Sequence, residues 1–271
     1  MVYGIADYCG GRASRLHASV VVAFIGQLVS LVLLSGALAV TTSAVADGRS
    51  LAWGAFAGVS SAVGLTAFYF ALANGAMTVV APLTAVVGAV VPVAVGLATG
   101  ERPQAIAYLG IVLAITGVAL VSGAVGQHQQ RTPPRILAAA VLAGLGFGGL
   151  FVAFDMAAHD AGLWPLVAAR GASVPLLLAM LLGSGSGGAL IRIRSIGFAV
   201  IAGVLDMTAN GLYLQATRGG LLSVVAVVGS LYPVSTVALA FAIDGERLHR
   251  AQIVGLFLAT AALVFVTLGR A

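Results

Sequence analysis

Lysine is absent from this chain of 271 residues, glutamate occurs only twice, and a single cysteine, Cys9, stands alone. Charged residues make up 8% of the sequence, against about 25% in ordinary soluble domains. A soluble fold must cover its surface with polar groups, and this chain has too few to do so. The shortage excludes a soluble enzyme, a nucleic-acid-binding domain and a disordered regulator. The lone cysteine excludes an intramolecular disulfide and any multi-cysteine metal site. No His/Glu pair stands at metal-ligand spacing, and neither a Gly-x-Ser-x-Gly elbow nor a phosphate loop occurs. No catalytic residue, metal or cofactor is therefore expected.

The 13 basic residues are all arginine and outnumber 8 acidic ones. They sit singly or in pairs at loop positions, with no basic run, and read as a membrane-topology signal rather than a nucleic-acid footprint. What fills the chain instead is apolar: 61% of residues are hydrophobic, and the mean hydropathy is +1.11. One helical span takes roughly 20 apolar residues. Breaking the sequence at charges and turn residues gives ten apolar segments, at 1–14, 18–41, 51–73, 76–98, 104–124, 135–157, 163–182, 195–217, 220–243 and 250–268. The first is short. Fourteen residues of helix cover about 21 Å, less than a hydrocarbon core of about 30 Å. The span either begins upstream or is a remnant, and Tyr3-Gly-Ile-Ala-Asp-Tyr, which reads like the middle of a helix, favours an upstream start. The apolar start lacks a basic leader and is not read as a signal peptide.

The polar stretch Gly126–Arg135 divides the chain, with five segments on each side. At a shift of 145 positions, Thr78-Val-Val-Ala81 falls on Ser223-Val-Val-Ala226, and Gly100-Glu-Arg102 falls on Gly245-Glu-Arg247. The two glutamates of the chain lie in these two turns, so the match reads as a duplication with repeats at 1–128 and 129–271. An odd number of spans per repeat makes the second copy enter the membrane from the opposite side. The expected fold is an all-α membrane protein of ten transmembrane helices in two inverted five-helix repeats. Such repeats are typical of secondary transporters, whose sites lie where the halves meet.

Ten spans with Gly-Glu-Arg after the fourth span of each half resemble the drug/metabolite transporter superfamily, EamA type. Ser230-Leu-Tyr-Pro-Val-Ser-Thr-Val followed by Gly245-Glu-Arg-Leu carries most of the resemblance. Pro82, Pro92, Gly100-Glu-Arg102 and Trp164-Pro-Leu-Val-Ala-Ala-Arg170 add to it. The resemblance implies a carrier of small organic metabolites working by alternating access in the plasma membrane, often as an exporter and sometimes proton-coupled. It names no substrate. The partners expected are a small-molecule solute and the lipid bilayer, in a monomer or homodimer. The competing reading is a structural or partner-binding membrane protein.

Ionisable groups inside spans cost roughly 3 kcal/mol or more to bury in lipid, which makes them candidates. Asp206 lies near mid-span, with Asn210 and Tyr213 on the same helical face. This stripe lines a polar cavity or forms a helix–helix hydrogen-bond seam. The matching stretch of the first half carries no acid, so the site is expected to be asymmetric. Arg170 and Asp155 lie at similar depths in neighbouring spans. They form a structural bridge, or Arg170 meets a substrate carboxylate or phosphate, or Arg170 pairs with Asp206 in a proton-sensitive contact. Asp7 lies in the short first segment, flanked by Tyr3 and Tyr8, and Tyr8, Phe147 and Phe151 are candidate aromatic walls. Tyr232 and Pro233 mark a possible gating kink, as do Pro82, Pro92 and Pro175. The Gly54/Gly58 and Gly144/Gly148 pairs read as close helix packing. Trp53 and Trp164 read as interfacial anchors, and the four histidines as solvated.

Orientation is not fixed by these signals. Eight arginines lie on the side opposite the termini and four on the side of the termini, which points to outside termini. The family resemblance implies cytoplasmic ones.

Overall fold

The computed structural model describes residues 1–40, 47–102, 104–121, 132–157, 160–184, 196–245 and 250–268. The Gly126–Arg131 part of the central linker and Glu246–His249 lie outside the described residues, as do His128 and His159. The described residues form helices α1 (Val2–Ser14), α2 (Ser19–Val40), α3 (Gly48–Asn74), α4 (Met77–Ala98), α5 (Ala105–Val121) and α6 (Pro134–Met156). These are followed by α7 (Trp164–Gly183), α8 (Ile196–Thr217), α9 (Leu222–Gly229), α10 (Pro233–Asp244) and α11 (Arg250–Leu268). Among the described residues, seven helical units are long and apolar enough to cross a membrane, counting Leu222–Asp244 as one across its break. At 13 residues, α1 is about 20 Å long.

Local chemistry sets the helix ends. Asp47 caps α3 by accepting a bond from the Ser50 N–H at 3.0 Å, and the Ser50 side chain first, with that N–H, holds its carboxyl below the ordinary carboxylate range. Proline stands in the first turn of α6, α7 and α10, where a missing N–H costs nothing. Pro82, Pro92 and Pro175 lie inside continuous helices. Among the described residues the ninth apolar segment is the one that is broken, at Ser230–Tyr232. Pro233 has no N–H for the carbonyl of Gly229 four residues back, so the helix restarts there.

Helix pairing repeats between the halves. In the first half α3 packs on α6 and α7, and α4 on α6. In the second half α8 packs on α1 and α2, and α10 on α1. Exchanging α1–α5 for their counterparts α6–α11 maps each contact onto another. Two close crossings are equivalent too. A Cβ on Gly58 would stand 2.1 Å from the Ala169 carbonyl oxygen on α7, and one on Gly203 would stand 2.5 Å from the Gly26 oxygen on α2. Gly58 and Gly203 are 145 positions apart. With no side chain at these points the helix backbones approach directly, which is what replaces the hydrophobic effect in a lipid solvent. Gly144 and Gly148 serve the α6–α4 contact in the same way.

The first Gly-Glu-Arg turn clamps the two halves. Gly100 turns with φ +100°, and Glu101 reaches the start of α9, accepting from the Leu222 N–H at 2.5 Å and the Ser223 N–H at 3.0 Å. A carboxylate there satisfies orphan N–H groups and meets the positive end of the helix. Gly96 leaves room for it, since a Cβ would lie 2.3 Å from Oε2 of Glu101. Arg102 returns to the Leu97 carbonyl at 3.3 Å, capping α4. Both charged residues of this turn thus cap helix ends, Glu101 that of α9 and Arg102 that of α4. Glu246 and Arg247 of the second turn lie outside the described residues.

Gly58→Ala forces backbones apart and is expected to destabilise the detergent-solubilised protein by about 1–3 kcal/mol. Gly171→Ala, where a Cβ meets nothing within 4 Å, is expected to leave the thermal unfolding midpoint unchanged.

Candidate functional site

The side chains that interrupt the apolar helices converge near the middles of α1, α2, α3, α6, α7 and α8 and at the α9–α10 break. Arg170 on α7 is the largest fully buried side chain, with no exposed surface. Its Nη2 donates to Oδ2 of Asp206 on α8 at 3.1 Å, and its Nη1 donates to Oε1 of Gln27 on α2 at 2.5 Å. Ser173, one turn further along α7, donates to the same Gln27 oxygen at 2.8 Å. Ser30 of α2 donates to the Gly203 carbonyl at 3.0 Å. Three helices are thus tied by one polar cluster, at the level where Gly203 lets α2 and α8 touch.

Beside this cluster opens a cleft with about 370 Å³ of empty space, its mouth included. Tyr3 and Asp7 of α1, Ser61 and Leu65 of α3, and Phe147, Leu150 and Phe151 of α6 line it. Asp206 and Asn210 of α8 and Tyr232 at the break complete the wall. The Tyr3 hydroxyl donates to Oδ1 of Asn210 at 3.1 Å, and the Asn210 amide donates to the Asp206 carbonyl at 2.9 Å. Phe151 stacks on Tyr213 with ring centroids 4.3 Å apart, and Phe68 meets Phe147 and Tyr232 edge-on. The hydroxyls of Tyr213 and Tyr232 are buried without a hydrogen-bond partner.

One end of the cleft wall is fastened. Arg12 and Arg15 at the end of α1 pair with Asp244 at the end of α10, and Tyr8 donates to Asp244 at 3.1 Å. At the other end of α8, Arg218 donates to the Gly162 carbonyl.

A family model described as the EamA-like transporter family matches residues 1–123 and again residues 134–268. The chain belongs to that family. No curated protein matches the chain. A solved crystal structure described simply as that of a protein shares the fold, with a TM-score of 0.62 at 15% identity. That likeness covers 98% of this chain and 94% of the other. This EamA family member is a multi-pass membrane protein of the drug/metabolite transporter type, and its family acts on small molecules across a lipid bilayer.

The structure brings together four of the seven residues singled out in the sequence: Asp7, Asp206, Asn210 and Tyr232 all line the cleft. Asn210 is both cavity wall and seam, since it also receives Tyr3 from α1. Arg170 stands behind Asp206, and Tyr213 stands behind Phe151. Asp155, half-buried at the penultimate position of α6, is not among the lining residues, and the ionic partner of Arg170 is Asp206. Tyr8 faces Asp244 rather than the cleft, and Tyr3 takes the place in the wall.

Gln27, Ser30, Ser61 and Ser173 carry polar groups that the sequence reading passed over. Gln27 was detectable as an amide within an otherwise apolar span. Ser61 is related to Asp206 by the 145-residue shift, as Leu65 is to Asn210. The wall therefore takes equivalent positions from both halves, and at the 61/206 pair the acid occurs in the second half alone.

Asp206→Asn leaves the Arg170 guanidinium buried without a counter-charge and is expected to destabilise the protein by about 3–5 kcal/mol, read as thermal unfolding in detergent. The double replacement Arg170→Met with Asp206→Leu is expected to recover most of that loss, because neither charge is then left alone.

Proposed function

We propose that the protein is a carrier, not an enzyme, and moves a small organic solute across the plasma membrane by alternating access. The observation that carries this reading is the polar cleft at the middle of the helices, built from equivalent positions of the two halves and bordered by a broken helix. In this reading the chain crosses the membrane ten times, with repeats at 1–128 and 129–271 inverted relative to each other. Contacts along the helices support the inversion. Tyr3 faces Asn210 while Arg12 lies over Phe198, so α1 runs against α8. Gly64 meets Gly146 and Gly75 meets Ile136, so α3 runs against α6. Gly10 and Gly11 meet Tyr69 and Leu72, so α1 and α3 run together, and α1 runs opposite to its counterpart α6.

The solute path runs past Asp7, Asn210, Tyr232 and Asp206, with Arg170 and Tyr213 positioning the wall and Asp155 near its end on α6. The Arg12–Asp244 contact closes one side and parts when that side opens. The restart of the helix at Pro233 supplies the hinge, since the break already lacks a backbone hydrogen bond. Export is the favoured direction. Proton movement is assigned to Asp206, whose pairing with Arg170 weakens on protonation, so the pair opens as pH falls and re-forms as pH rises. The chain acts alone or as a homodimer.

A thermal-shift screen of the purified protein against a metabolite panel, followed by flux of each hit in proteoliposomes, tests the carrier reading. The expected result is at least one solute that both stabilises the protein and crosses the membrane faster than through empty vesicles. Binding hits with no flux for any of them contradict it. For the proton role, flux by Asp206→Asn at matched folded protein is expected to lose its pH dependence. Flux that keeps the wild-type pH profile removes Asp206 from that role.

A further inference from the structure

Two carboxylates face the cleft, and their surroundings differ. Asp206 is met by Arg170. Asp7 is 7% exposed, lines the same cleft and accepts no hydrogen bond among the described residues. Arg12 and Arg15, further along α1, are taken by Asp244. The amino group of Met1 acts on Asp7 from the exposed start of the helix, nearly two turns away. The other groups that face Asp7 are Tyr3 and Cys9 on α1, Tyr69 on α3, Asp206 on α8 and Tyr232 at the break. None of these supplies a positive charge. Counted over the residues that line the cleft, with Arg170 set against Asp206, one carboxylate is left without a cation beside it, its nearest positive charge being the Met1 amino group at the helix start.

We propose that the cleft binds an organic cation carrying an aromatic ring, with the ammonium on Asp7 and the ring among Tyr3, Phe147, Phe151 and Tyr232. The inference rests on reading the cleft as the carrier's binding site and names the chemical class of its solute. A lone carboxylate away from water is costly, and a bound ammonium offsets that cost by pairing with it. Aromatic faces attract a desolvated cation through their quadrupoles, and four rings border the space next to Asp7. The Tyr232 hydroxyl, buried and without a partner, is a ready acceptor for a second ammonium N–H. An anionic solute finds no equivalent. Arg170 is the guanidinium nearest the cleft chemistry, yet it has no exposed surface and both its Nη atoms are engaged by Asp206 and Gln27. That arrangement excludes the carboxylate- or phosphate-binding role the sequence left open for Arg170 in this conformation.

Three probes sharing one ring and differing in charge test the proposal: phenethylamine, 2-phenylethanol and 3-phenylpropionate. Each is titrated against the full chain in detergent by thermal shift and calorimetry, and each is followed as flux in proteoliposomes. Phenethylamine is expected to bind and stabilise, the other two to bind more weakly or not at all. Asp7→Asn is expected to weaken phenethylamine binding about tenfold or more, while Asp7→Glu, which keeps the charge, retains it. Size-exclusion profiles matched to wild type establish that each variant is folded, and if Asp7→Asn is not, Tyr232→Phe replaces it with a smaller loss expected. Preference for 3-phenylpropionate or 2-phenylethanol, or phenethylamine binding unchanged in the folded Asp7→Asn or Tyr232→Phe protein, overturns the proposal. Flux of an anionic or neutral solute, without cation binding, overturns the proposal and leaves the carrier reading standing. Absence of binding and flux for every solute tested removes both.

Discussion

A guanidinium with no exposed surface must be neutralised where it lies, and Arg170 finds its counter-charge and its Nη acceptors in one residue from each of two other helices, its Nε N–H having no partner among the described residues. Asp206 supplies the charge and Gln27 the second acceptor. An Arg on α7 therefore fixes where α2 and α8 stand, and the glycine crossing at Gly203 and Gly26 is what allows them to come close enough. Replacing any member leaves a polar atom unsatisfied in the part of the molecule least able to hydrate it. The cleft beside the cluster inherits its position from this requirement. Asp206 reaches the cleft with its charge already answered, so the character of the site is set by Asp7.

The two halves share their helix pairing and the close glycine crossings at Gly58 and Gly203, yet they differ at the positions that face the cleft. Ser61 stands where the second half has Asp206, and Gly88 stands where it has Pro233, each pair 145 residues apart. The first substitution puts the acid on one side only. The second breaks the ninth span while α4 continues unbroken. Pseudo-symmetry builds the scaffold, and departures from it supply a charged position in the wall and a break in the ninth span.

Much of this architecture was legible in the sequence because lipid imposes simple rules. A span must be about 20 apolar residues long, charges must fall at turns, and a charge inside a span must have a reason. Those rules located the helices to within a few residues and singled out Asp7, Asp206, Asn210 and Tyr232. They could not say which helices are neighbours. In water an amphipathic stripe points a helix toward the core, but lipid is as apolar as the protein interior, so a membrane helix carries little such contrast. Hence the partner of Arg170 was open between Asp155 and Asp206, Tyr8 stood equal to Tyr3 as a wall, and Gln27 passed unnoticed. The helix break at Ser230–Tyr232 was one of several places that a proline allowed, and sequence spacing alone does not separate Pro233 from Pro82, Pro92 or Pro175.

If the cleft at mid-membrane is a solute path reached from water, Ser61 in its wall meets solvent from each face of the membrane. Ser61→Cys in a Cys9→Ala background is reconstituted into proteoliposomes and exposed to a membrane-impermeant thiol reagent, added to one face or to the other. The account predicts labelling that proceeds from each face and is slowed by a bound solute. A thiol at position 61 that stays unlabelled from both faces, in protein shown to be folded, would contradict it.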